Sequence, residues 1–283
     1  MILTCSFTLM LIEQAFMALP EFLTGAPFKK YQNEGTVVTA FSMAVLQELN
    51  SRNVPNPVAA LREEVNYPFA RKWRADLHLD LAAMKIFTPE LSSYGYYQNN
   101  WLEAKYSRLN QEGKPSISGL VTTLLLLKDI VRICALPPDS SPGKESTSGR
   151  YLLHAYQGDP FQYFSLRRNS GKKRDEREWI TSLLVQGASS IRSLDIHCEK
   201  SKTFESHVGK HTRLIRMSAD VTNIAHSPRD PSADAYYIVL TRVDNFSIRV
   251  GSRCLGRRQG VIFGSHPDSA RLVPAAIAQL LAD

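Results

Sequence analysis

Three charged residues, Asp76, Glu103 and Lys105, have side chains that together suit a divalent cation and its bound water. A Mg²⁺ ion prefers hard oxygen ligands and usually takes one or two carboxylates from a protein, leaving its other positions to water and substrate phosphate. Asp76 and Glu103 can supply those carboxylates. Lys105 lies two residues beyond Glu103, roughly 6 to 7 Å along a strand, where an ammonium can orient or help deprotonate the attacking water and offset charge on a phosphorane-like transition state. These residues predict metal-dependent phosphodiester hydrolysis, with Mg²⁺ or Mn²⁺ bound by Asp76 and Glu103.

The segments that carry these residues have the alternation of β-strands. Apolar and polar residues alternate from Trp73 to Leu81, with Asp76 on the polar side, and a second alternation from Asn100 to Arg108 places Glu103 and Lys105 on one side. The same reading predicts helices over 36–50 and 118–136 and further strands over 61–67 and 151–156. This order of helix, strand, strand, strand, helix, strand predicts an α/β unit over 36–165, with a mixed central sheet flanked by helices.

On these residues the chain resembles the PD-(D/E)xK, or restriction-endonuclease-like, nuclease superfamily. The matching segments are Arg74-Ala75-Asp76-Leu77 and Trp101-Leu102-Glu103-Ala104-Lys105, followed by a helix and the strand over 151–156. The resemblance implies a restriction-endonuclease-like fold and a Mg²⁺-dependent endonuclease in which Asp76, Glu103 and Lys105 are catalytic. It also implies DNA as the substrate and bacterial restriction or defence as the setting. The segment between Asp76 and Glu103 is longer than the short hairpin common in the superfamily.

Members of that superfamily often add an acidic residue from the helix before the first strand, and Glu48 is the residue predicted for this role. It falls near Phe41 and Val45 on the apolar face of the helix, where a carboxylate needs a specific reason to lie. The alternative is that Glu48 lies at the edge of that face, in water.

Further candidates lie close by in the sequence. Asp80 and His78 share the face of Asp76, so either is a candidate ligand or proton shuttle, although a solvated strand face is the commoner case. A second Glu-x-Lys triplet, Glu112-Gly113-Lys114, lies beside Gly and Pro in a predicted turn, and we discount it for that reason.

The formal net charge of +7 favours a polyanionic partner, and we predict double-stranded DNA. Because neutralisation of phosphates dominates nucleic-acid affinity, two basic clusters are the predicted contacts. They are Lys172 and Lys173, and Arg253, Arg257 and Arg258 in a glycine-containing loop. For each cluster the alternative is a solvated surface that contacts no nucleic acid. The four cysteines include no CxxC pair, which favours a reducing compartment and predicts a cytoplasmic protein. The sequence leaves open whether the chain is a monomer or a homodimer.

The remaining segments are predicted to flank the α/β unit. Residues 1–35 are predicted as a helical segment, since Ile12, Phe16 and Leu19 recur at helical spacing and Glu13 argues against a signal peptide or membrane span. Residues 166–283 are predicted as an α+β extension, with strands over 212–220 and 235–250 and helices over 175–185 and 271–282. This extension either continues the first sheet or forms its own lobe.

Two other functions remain open from the sequence. One is a non-catalytic nucleic-acid-binding protein with a nuclease-like fold, and the other is an enzyme of unrelated chemistry that uses the acidic cluster differently. Metal-dependent cutting of plasmid DNA separates the first from a nuclease. A large distance between Asp76 and Glu103 in the folded chain would favour either of them.

Overall fold

A computed structural model of the chain describes residues 11–24, 33–67, 70–82, 97–117, 119–134, 148–160, 163, 189–197, 215–226, 236–250 and 261–264. The α-helices within these ranges are α1 (Leu11–Leu23), α2 (Glu34–Ser51) and α3 (Gly119–Cys134), and a short 3-10 helix covers Pro57–Ala60. The strands are β1 (Leu61–Tyr67), β2 (Ala70–Asp80), β3 (Asn99–Ser107), β4 (Ser148–Gln157), β5 (Ser189–His197), β6 (Ile215–His226), β7 (Tyr236–Val250) and β8 (Val261–Gly264).

All these strands belong to one mixed sheet, in the order β1-β2-β3-β4-β7-β6-β5, with β8 paired to β7. β3 and β4 run parallel, and the other neighbouring strands pair antiparallel. A parallel pair needs a long crossover, and α3 lies in the connection between β3 and β4. The predicted α/β class, with a mixed sheet flanked by helices, is therefore confirmed.

The strands near the C-terminal end continue the first sheet, which was one of the two alternatives open from the sequence. β7 pairs with β4, from Tyr151↔Arg242 to Gln157↔Tyr236, and β6 and β5 follow beyond it. The predicted strands over 212–220 and 235–250 correspond to β6 and β7. The predicted helices over 175–185 and 271–282 lie outside the described residues.

Helices α1 and α2 pack on one face of the sheet and form the main hydrophobic core with it. Phe16 of α1 and Phe41 of α2 are fully buried against Leu79, Leu102 and Leu153 of the strands. Burying a side chain of this size contributes ~1.5–3 kcal/mol relative to leaving it exposed, which fixes the helices on the sheet. None of the helices in the described ranges is long and apolar enough to cross a membrane.

Helix α3 lies on the opposite face of the sheet. Side chains alternate along a strand, so Glu103 and Lys105 start from the face opposite to Leu102 and Ala104, which join the core beneath α1 and α2. Ion pairs from Glu103 and Lys105 reach α3 on that face. The layers are therefore helices, sheet and helix, and charged residues occupy the junction between the sheet and α3.

Candidate active site

The strands β2 and β3 separate at the point where Asp76 and Glu103 lie. Their pairing runs from Asp80↔Asn99 to Leu77↔Leu102, and Asp76 and Glu103 occupy the next position of that register. There Oδ2 of Asp76 accepts a hydrogen bond from the main-chain N–H of Ala104, with a donor–acceptor distance of 2.6 Å. Residues opposite each other on antiparallel strands project from the same face. The structure therefore places the Asp76 and Glu103 side chains together on the α3 face.

Glu103 is buried, and the two polar contacts that it makes within the described residues use the same oxygen. The Tyr67 hydroxyl of β1 donates a hydrogen bond to Oε1, and Nη2 of Arg132 lies 3.3 Å from the same atom. Burial and the nearby Asp129 carboxylate raise the pKa of Glu103 well above its ordinary value, although the Arg132 guanidinium opposes this. A buried carboxyl group of this kind gains from a cation that compensates its charge.

Lys105 lies between the two helical layers. Its ammonium is 3.2 Å from Oε2 of Glu34 on α2 and 3.3 Å from Oδ2 of Asp129 on α3, and it donates to the Ala104 carbonyl at 2.7 Å. Burial alone would lower the pKa of Lys105, but Asp129, Glu34, Asp76 and Glu103 together raise it above its ordinary value. Lys105 is therefore protonated at neutral pH.

Asp129 and Arg132 on α3 complete the cluster, and neither was predicted from the sequence. Arg132 donates from Nη1 to Oδ1 of Asp129 at 3.0 Å and from Nη2 to the Arg74 carbonyl at 2.9 Å. Asp129 is fully buried, and burial raises its pKa although Lys105 and Arg132 lower it. The sequence did contain a signal for them, an acidic and a basic residue at positions i and i+3 of a strongly apolar helix. Because buried charges are nearly always paired, such a pair indicates charged side chains buried in the core.

The acidic residue that α2 contributes to the cluster is Glu34. The prediction that Glu48 would reach this cluster from the same helix is therefore wrong. The Asn33 side chain accepts the Thr36 main-chain N–H at 2.9 Å, which caps α2 and fixes Glu34 in its first turn. Glu48 lies about 21 Å further along the helix axis by the rise of 1.5 Å per residue. There it pairs with Arg52 at 2.6 Å.

Asp80 and His78 take no part in the contacts of this cluster. Asp80 accepts the Ala82 main-chain N–H at 2.9 Å, where β2 ends. His78 packs against the ring of Trp101, with 4.2 Å between ring centroids, and burial lowers its pKa. The predicted nucleic-acid contacts lie outside the described residues. They are Lys172, Lys173, Arg253, Arg257 and Arg258.

The donor set fits a divalent cation that takes two protein carboxylates. In the described part of the chain, no group of three or more His, Cys, Asp or Glu side chains has the arrangement of a preformed metal site. However, Mg²⁺ usually requires only one or two carboxylates. The cluster contains four carboxyl groups and two cations, so two negative charges remain when all are ionised. These residues are Glu34, Asp76, Glu103, Asp129, Lys105 and Arg132.

Comparison of the chain with protein-family models, with curated proteins and with solved structures found no match.

Proposed function

We propose that this chain is a Mg²⁺- or Mn²⁺-dependent endonuclease that hydrolyses phosphodiester bonds, with DNA as the substrate. The observation that carries the proposal is the meeting of Asp76 with Glu103 and Lys105 where β2 and β3 separate. The order α2, β1, β2, β3, α3, β4 is the one on which the PD-(D/E)xK resemblance rests, and α2 contributes an acidic residue, as the resemblance implies. This supports a restriction-endonuclease-like core.

Asp76 and Glu103 are the residues that would hold the cation. Within the described residues, Asp76 uses Oδ2 for the Ala104 N–H and Glu103 uses Oε1 for Tyr67 and Arg132, which leaves each carboxylate a second oxygen for a ligand. When bound, the cation supplies Lewis-acid polarisation of the phosphate and lowers the pKa of a bound water. When all its acidic groups are ionised, the cluster has two more negative than positive charges, which matches a divalent ion.

Lys105 acts as a positive charge and hydrogen-bond donor toward the substrate phosphate. Because the surrounding carboxylates raise its pKa, it is a poor base for the attacking water. Glu34 suits that role better, since burial raises its pKa while its side chain stays 43% exposed, next to the Lys105 ammonium. Glu34 is thus a candidate acceptor for the proton of the water, and Lys105 offsets negative charge as the phosphate is attacked.

Plasmid cleavage tests the proposal directly. Purified protein should nick or linearise supercoiled plasmid with Mg²⁺ or Mn²⁺ and leave it intact in EDTA, and Lys105→Met should remove the activity. Lys114→Met is the matched control, because Lys114 belongs to the other Glu-x-Lys triplet and pairs with Glu112 at 2.9 Å in an exposed turn. Equal cleavage by folded Lys105→Met and wild-type protein would refute the assignment.

The rival function, a nucleic-acid-binding protein without hydrolysis, is separated by the same assay. Its signature would be salt-dependent DNA binding with no metal-dependent cutting. The DNA partner itself is supported by the net charge of +7. Replacing Arg253, Arg257 and Arg258 together should flatten the salt dependence of DNA affinity, whichever of the two functions holds.

A further inference from the structure

Arg132 forms a fork between the candidate cation ligand Glu103 and the buried Asp129. Its Nη1 donates to Asp129 at 3.0 Å, whereas its Nη2 donates to the Arg74 carbonyl at 2.9 Å and lies 3.3 Å from Oε1 of Glu103. Tyr67 and Trp73 place their rings 5.7 and 5.6 Å from the guanidinium carbon. Arg132 is therefore held mainly by groups other than Glu103.

The contact between Arg132 and Glu103 is the weakest member of this set. At 3.3 Å it forms an ion pair without a hydrogen bond, while the Asp129 and Arg74 contacts have hydrogen-bond geometry. If Glu103 turned toward another cation, Arg132 would keep both hydrogen bonds and both ring contacts. The loss to Arg132 would be small, and Glu103 would gain a divalent charge.

A buried carboxyl group such as Glu103 needs a compensating positive charge. A guanidinium and a divalent cation close to the same carboxylate repel each other, so they compete for it. Asp129 adds a second reason for exchange. Within the described residues, its buried Oδ2 has no partner with hydrogen-bond geometry, although the Lys105 ammonium lies 3.3 Å away. Asp129 already accepts from Arg132 through Oδ1, and its Oδ2 is a second oxygen for the guanidinium once Glu103 turns to the cation.

We propose that Arg132 is the internal counter-ion of Glu103 in the metal-free protein and that a divalent cation replaces it beside Glu103, leaving Arg132 paired with Asp129. Arg132 then sets the affinity of the site for the cation, acting as a positioning residue rather than a ligand. The inference rests on the proposed function, because it takes Asp76 and Glu103 as the cation ligands.

Calorimetric titration with Mg²⁺ or Mn²⁺, without nucleic acid and at about pH 8, tests the exchange. Arg132→Gln removes the competing charge, so the Kd for the ion should fall about tenfold or more. Arg242→Gln is the matched control, since Arg242 has a similarly buried side chain and pairs with Glu13 at 3.0 Å and Asp244 at 2.6 Å in another cluster. Its Kd should equal that of the wild type.

Wild-type protein gives a second measurement that does not depend on the stability of a variant. The Nε–Hε signal of Arg132 in a nitrogen-15 NMR spectrum, assigned with Arg132→Lys, should shift during the Mg²⁺ titration, and the Arg242 signal should not. This inference alone would be overturned if ion binding requires Asp76 but does not shift the Arg132 signal, and if Arg132→Gln has the same Kd as the wild type. No ion binding at all would overturn it together with the proposed function.

Discussion

The carboxylate of Asp76 accepts the main-chain N–H of Ala104 at 2.6 Å, across the point where β2 and β3 stop pairing. A side chain thus takes the place of a main-chain acceptor, and the strands separate there without leaving the buried N–H of Ala104 unsatisfied. The same contact ties the position of Asp76 to the segment that carries Glu103 and Lys105. Asp76 is therefore both a candidate ligand and a structural element.

Replacement of Asp76 should separate these two roles. Asp76→Asn keeps an oxygen that can accept the Ala104 N–H, so it should lose metal-dependent cleavage with little change in stability. Asp76→Ala should lose cleavage and also about 1–3 kcal/mol of unfolding free energy, because a buried donor loses its partner. Urea unfolding in EDTA measures the difference, and equal stability of the two variants would contradict the structural role.

Glu34 and Glu48 occupy opposite ends of α2 and make a matched pair. Glu34→Gln should lower cleavage by about 10- to 100-fold, because it removes the candidate proton acceptor and weakens the contact that holds the Lys105 ammonium at 3.2 Å. Glu48→Gln removes a carboxylate that pairs with Arg52, and should leave cleavage unchanged. The plasmid assay compares them under identical conditions, and an effect confined to Glu48→Gln would reverse the assignment.

The raised pKa of Glu103 predicts how stability depends on pH in the metal-free protein. A carboxyl group with a higher pKa in the folded protein holds its proton longer there than in the unfolded chain. The unfolding free energy should therefore fall as pH rises from the ordinary pKa of 4.5 through the raised one. Glu103→Gln should remove part of this fall.

Urea titrations in EDTA between about pH 5 and pH 8 measure how steeply the unfolding free energy falls with pH. Glu112→Gln is the control, since Glu112 lies in an exposed turn and pairs with Lys114. Added Mg²⁺ should counteract the fall in wild-type protein, because it binds the deprotonated carboxylates. Parallel slopes for wild type and Glu103→Gln would show that Glu103 titrates near its ordinary pKa.

Glu64 on β1 has a strained backbone close to the site. Its φ of 53° is in the left-handed region, and it lies between the pairs Glu63↔Leu77 and Val65↔Ala75, opposite Asp76. Glu64→Gly relieves the strain, whereas Glu64→Ala does not. The glycine variant should therefore be more stable than the alanine variant by up to about 1 kcal/mol. Thermal melts of both variants measure this, and equal midpoints would argue against strain at Glu64.

Much of the core fold followed from the sequence, because strand and helix periods are local properties of the chain. The alternation in β2 and β3 predicted that Glu103 and Lys105 share a face, since successive side chains on a strand point to opposite sides. The order from α2 to β4 was also correctly predicted. Local patterns left open whether the C-terminal strands joined this sheet, because the pairing of β7 with β4 is a contact between distant segments.

The membership of the charged cluster was decided only by the tertiary structure. The sequence predicted a carboxylate from α2 and selected Glu48 by its apolar neighbours, but the placement of α2 on the sheet brings its first turn, with Glu34, to Lys105. Asp129 and Arg132 join because α3 packs over β3 and β4, with these two residues on the side of the helix that reaches Lys105 and Glu103. The placement of the helices is the one that buries the most apolar area over the whole core. That area depends on contacts between distant segments, so the spacing of residues within one segment does not predict it.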